Sequence, residues 1–143
     1  MTTQNLLDRI YHFVPQKYES DNVKVLYELK QDLLASDNPE QFIIPLFELI
    51  EKYPTMEAGT PFPVVHFLEK QDYEVALLDS LARKPTPMTV FMLNRILNVT
   101  DENSSKYENL LALMKTIADN PDVEEISQKE ARDFYAYQMS KEN

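Results

Sequence analysis

Cysteine and tryptophan are absent from this chain, and glycine occurs once. Without cysteine there is no disulfide, no thiolate zinc site and no cysteine nucleophile. A single glycine rules out Gly-rich phosphate loops, which need several positions free of a Cβ. It also disfavours an all-β fold, whose tight hairpin turns lean on glycine. Positive charge is scarce: 14 Lys and Arg face 24 Asp and Glu, a formal net charge of −10. Proteins that hold nucleic acid neutralise phosphates with Lys and Arg, so direct nucleic-acid binding is not expected. An anionic membrane surface is disfavoured for the same reason, and a cationic partner, or simply solubility, is favoured. No apolar run approaches the ~20 residues that span a bilayer. The first residues lack the basic and apolar regions of a signal peptide, so the expectation is a cytoplasmic protein.

What is present is helical periodicity with clear punctuation. Across 143 residues it predicts a single all-α domain of about eight antiparallel helices in short hairpins. Leu6, Leu7, Ile10, Phe13 and Val14 form one apolar face that stops at Pro15. Val25, Leu26, Leu29, Leu33 and Leu34 define a second helix, with Ser20 or Asp21 as its cap. Asn38-Pro39, Thr60-Pro61 and Thr86-Pro87 each place a capping residue before a proline that suits the first helical position. Pro45 predicts a kink or a late start in the third helix. Ser127 and Glu130 have capping-box spacing for the last helix, with a short helical turn at 122–126 before it. Helices three to eight divide into hairpins of a similar length, which suggests a HEAT-like or compact α-solenoid-like bundle.

The candidates for chemistry are few. His12 and His66 are the only histidines, and no Gly-x-Ser-x-Gly elbow accompanies them. The pairs Glu48 and Glu51, Asp72 and Glu74, and Glu124 and Glu125 lack the repeated Glu-x-x-His set of a dinuclear bundle site. They read as solvated faces. The expectation is no enzyme activity, no cofactor and no metal.

Aromatic placement is more informative. Tyr11, Tyr18, Tyr27, Tyr53, Tyr107, Tyr135 and Tyr137 lie in two acidic flanks, and only Tyr73 lies in the neutral middle. Residues 1–60 carry 10 acids against 5 bases, residues 61–100 carry 4 against 4, and residues 101–143 carry 10 against 5. Tyr beside carboxylate offers rigid amphipathic area with charge complementary to a basic partner. The candidate partner-binding residues are therefore Tyr11, Tyr18, Asp21, Tyr27, Glu28, Asp32, Glu69, Tyr107, Glu108, Asp133, Tyr135 and Tyr137.

Two segments go beyond a helix pattern: GTPFPVVHFLEK at 59–70 and ARKPTPMTVFMLNRILN at 82–98. Together they resemble a family of small bacterial immunity proteins of contact-dependent growth inhibition and related polymorphic toxin systems. The resemblance implies an all-helical, HEAT-like cytoplasmic inhibitor that binds one cognate toxin domain and performs no chemistry. An acidic inhibitor suits a cationic nuclease toxin, whose basic phosphate track it would cover as a 1:1 heterodimer of two monomers. In that reading Gly59 closes a turn and Asn94 and Arg95 pair with Glu69 or Asp79. His66, Glu69 and Arg95 are alternative direct contacts. A helical adaptor that binds a peptide or protein along a groove is the competing reading.

Overall fold

The computed structural model describes residues 2–56 and 60–141. Gly59, expected to close a turn, lies outside the described residues. Among them the chain is all-helical, with eight α-helices and one short 3-10 turn. The helices are α1 (Thr3–Tyr11), α2 (Glu19–Leu34), α3 (Ile43–Lys52), α4 (Phe62–Glu69), α5 (Glu74–Arg83), α6 (Pro87–Val99), α7 (Ser105–Asp119) and α8 (Glu125–Lys141). They gather into two compact units, residues 1–79 and 80–143.

In the first unit α1 packs on α3, α2 packs on α4, and α1 also meets α2. Its core is apolar: Leu6, Ile10, Leu26, Leu33, Phe42, Leu46, Phe47, Phe67 and Leu68 are all but inaccessible. α2 opens at Glu19 with Tyr18 at the N-cap and no side-chain cap, so Ser20 and Asp21 are not the caps expected. Glu19 and Asp21 instead occupy the first turn, where their charge complements the helix dipole. Pro45 produces a late start. A 3-10 turn over Pro39–Phe42 precedes α3, leaving Pro45 in the first turn, where no N–H is needed. Thr60 does not cap α4, because Pro61 holds that position without a side-chain bond.

In the second unit α7 and α8 pack closely, and α6 packs against both. Here the Thr86-Pro87 device works fully. Thr86 Oγ1 accepts from the Thr89 N–H at 3.1 Å, and the Thr86 N–H donates to Thr89 Oγ1 at 3.0 Å. Both threonines are buried, so this reciprocal cap satisfies groups that water cannot reach. The capping box expected at Ser127 is absent. α8 starts at Glu125, and Ser127 lies buried inside it with no hydrogen-bond partner for its hydroxyl among the described residues. The preceding connection is a turn, closed by the Asp122 N–H donating to Asn120 Oδ1 at 2.9 Å.

A buried polar network ties this unit together. Gln138 Nε2 donates to Asn94 Oδ1 at 2.7 Å and to Asn98 Oδ1 at 2.9 Å. Its Oε1 accepts from the Tyr107 hydroxyl at 3.0 Å, so one side chain of α8 holds both α6 and α7. This corrects the expected role of Tyr107. The ring is 1% exposed, because its position on α7 faces α8, and it cannot serve as a partner contact. Asn94 likewise spends its carbonyl oxygen on Gln138, and Arg95 lies over the Phe91 ring one turn away.

Candidate functional site

The expected contact residues gather best on the first unit. Tyr18, Asp21, Val25, Glu28 and Asp32 follow one another at intervals of three or four, which places them along one face of α2. Asn22, Leu26, Leu29 and Leu33 form the adjacent buried stripe, and this fixes which face is left outside. Tyr18 is 61% exposed, Tyr27 50% and Tyr11 48%. Asp32 is anchored: its Oδ2 accepts from Arg9 Nη1 at 2.6 Å, linking α1 to α2. Asp21 and Glu28 are exposed on the same face.

The loop between α1 and α2 borders this stripe, and it is held firmly. The buried Asn22 side chain accepts from the Gln16 N–H at 2.6 Å and donates to the Gln16 carbonyl at 3.0 Å. From the other side the Tyr53 hydroxyl donates to the Phe13 carbonyl at 3.0 Å, and the two rings meet edge to face. The pinned loop nevertheless turns Val14 outward, opposite the outward Val25 of α2. Between them lies a groove of about 320 Å³ lined by Phe13, Val14, Val25 and Leu29, with Arg9 and His12 at its edge. A second groove of about 370 Å³ lies between α1 and α3, lined by Ile10, Tyr11, Pro45, Glu48, Leu49, Glu51 and Lys52.

The candidates elsewhere are more dispersed. Glu69 is half-buried near the end of α4. His66 is exposed, its ring stacked on Phe62 at 5.9 Å. Glu108 on α7 and Asp133 on α8 are exposed, and Asp133 accepts from Lys129 Nζ at 3.0 Å one turn earlier. Tyr135 is half-buried under the Lys115 ammonium, and the Tyr137 ring lies beneath that of Lys141. Hydrogen bonding by Asp119 and then its charge hold the Lys115 ammonium above its usual pKa, and Asp133 does the same for Lys129. No group of three His, Asp or Glu side chains among the described residues is placed to hold a metal ion. No described helix is long and apolar enough to cross a membrane.

Sequence reasoning missed the pinned loop and its groove. The signal was available in part: Val14 continues the α1 stripe in the sequence, but Pro15 ends the helix first and the chain then turns that side chain outward. Comparison with protein-family models, with curated proteins and with solved structures finds no match for the chain.

Proposed function

We propose that this protein is an immunity protein: a non-catalytic cytoplasmic inhibitor of a cationic toxin domain, most simply a nuclease. The observation that carries this reading is the α2 stripe of exposed Tyr18, Asp21, Val25 and Glu28 with the half-buried Asp32, on a unit that also exposes Tyr11 and Tyr27. Rigid aromatic area interleaved with carboxylate is the surface chemistry that attracts a basic protein and gives it a fixed register. The unit that bears the stripe has 14 acids against 6 Lys and Arg, net −8, so an approaching cation is steered toward it. The pinned loop adds preorganisation, which lowers the ordering cost of association. Covering a basic cleft blocks phosphate binding without any chemistry by the inhibitor, and a 1:1 complex suffices. A HEAT-like build accords with helices two apart in sequence packing together within each unit, α1 on α3, α2 on α4, and α6 on α8.

The test is to look for a toxin gene beside this one and to co-express the protein with the toxin domain it encodes. Protection of the host, a 1:1 complex, and an on-rate that falls about tenfold or more from low to physiological salt are expected. A folded protein that neither binds nor protects would overturn the reading. The apolar groove lined by Phe13, Val14, Val25 and Leu29 favours a second reading, an adaptor that seats an apolar peptide. Binding at an on-rate indifferent to salt selects that alternative.

A further inference from the structure

Most of the exposed or half-exposed tyrosines of this chain carry one of its own cations over the ring. Lys17 lies over Tyr18 at 5.5 Å, Lys30 over Tyr27 at 5.8 Å and Lys52 over Tyr53 at 5.5 Å. Lys115 lies over Tyr135 at 5.6 Å and Lys141 over Tyr137 at 4.7 Å. Tyr11 is different: it is 48% exposed, and among the described residues no Lys or Arg of the chain covers its ring. That ring borders the groove between α1 and α3, whose floor is Ile10, Pro45 and Leu49 and whose edge carries Glu48 and Glu51. Lys52 also lines the groove, but its ammonium is already engaged with Tyr53.

We infer that this groove seats an arginine side chain from the cationic partner. The inference rests on the proposed inhibitory function and names the contact through which it operates. Arginine has an apolar stem and a planar charged head, and the groove offers a matching surface to each part. Ile10, Pro45 and Leu49 take the methylenes, while Glu48 accepts from the guanidinium N–H groups. The face of Tyr11 attracts the same cation through its ring quadrupole, and a guanidinium stacks there better than an ammonium. Glu48 is exposed on α3 and Tyr11 belongs to the last turn of α1, so both come from helices and the site has little to reorganise on binding.

The probe is a short capped peptide, acetyl-Gly-Leu-Arg-Leu-Gly-amide, titrated into the full-length protein and followed by amide chemical shifts. Shifts centred on Tyr11, Glu48 and Leu49 are expected, with the lysine peptide weaker and the citrulline peptide silent. Glu48→Lys should weaken the arginine peptide about fivefold or more, and Tyr11→Leu a few-fold, while Glu102→Lys at an exposed position of the other unit leaves it unchanged. Shifts spread evenly over acidic surfaces, or an equal response to citrulline, would overturn the inference. So would a wild-type response retained in a folded Glu48→Lys variant. Protection against the toxin is scored separately. Intact protection with no groove signal removes this inference alone, whereas a groove signal without protection removes the inhibitory function and leaves an arginine site.

Discussion

The two units solve the same problem with opposite distributions of polarity. Residues 1–79 hold 14 acids against 6 bases, and residues 80–143 hold 10 against 8, so net charges of −8 and −2 sit on units of similar construction. Inside, the order reverses. Among the described residues, the buried polar ones of the first unit are Asn22 and Thr60, whereas the second buries Ser80, Thr86, Thr89, Asn94, Ser127 and Gln138. A buried hydrogen-bonded side chain contributes orientation more than net stability, because its partners suffer when it is lost. The second unit therefore uses polarity to define its own packing. The first keeps an apolar interior and places its polarity outside, where a partner can meet it.

The sharpest way to break this contrast is to remove each unit's principal internal polar bond. Gln138→Ala leaves Asn94, Asn98 and Tyr107 without their partner and opens a cavity, and a loss of about 3 kcal/mol is expected in urea unfolding. Asn22→Ala frees only the Gln16 backbone of a surface loop, with an expected loss of about 1 to 2 kcal/mol. A larger loss from Asn22→Ala would show that the first unit is the one organised by internal polarity.

Charge reversal examines the outside of the same comparison. Asp21→Lys with Glu28→Lys should slow association with a cationic toxin domain about tenfold at low salt while changing stability by less than about 0.5 kcal/mol. Glu108→Lys with Asp133→Lys should slow it much less, because the second unit has little net charge to steer with. Equal effects measured by stopped flow would distribute recognition over both units. Next in size is Ser127→Ala, which removes a buried hydroxyl without a partner among the described residues and should raise stability by about 1 kcal/mol. A loss of that size would mean the hydroxyl makes an interaction that its surroundings in α8 do not reveal.

The fold class was legible because helical periodicity and proline punctuation agree, as at Thr86-Pro87, where local chemistry alone determines the start. Starts decided by tertiary packing were not legible. Ser127 has the right spacing for a capping box, yet α8 runs past it because packing buries that position. Tyr107 fails as a surface residue for a related reason. Its neighbours Lys106 and Glu108 are exposed, and the packing of α7 on α8, where Gln138 lies 31 residues away, makes the ring internal. The α2 stripe was legible as residue types, but grooves need two helices and a loop, and no local pattern specifies those.

The smallest expected effect separates the ion pairs of the two units. In the first unit Arg9 and Asp32 join two helices, whereas Lys115 with Asp119 and Lys129 with Asp133 each lie within one helix at a spacing of four. Such exposed pairs contribute little, but their pH dependence has a definite sign. The hydrogen bond and charge of Asp119 raise the Lys115 ammonium above its usual value of 10.5. A group raised on folding stabilises the fold below its unfolded pKa and loses that contribution as pH climbs through the folded one. The difference in melting temperature between wild type and Lys115→Met should therefore be small and positive at pH 8 and fade as pH climbs past the raised lysine pKa. The corresponding difference for Arg9→Met should persist there, since a guanidinium keeps its charge. A Lys115 difference that survives at alkaline pH would assign its contribution to the side-chain stem packed on Tyr135, and not to the charge.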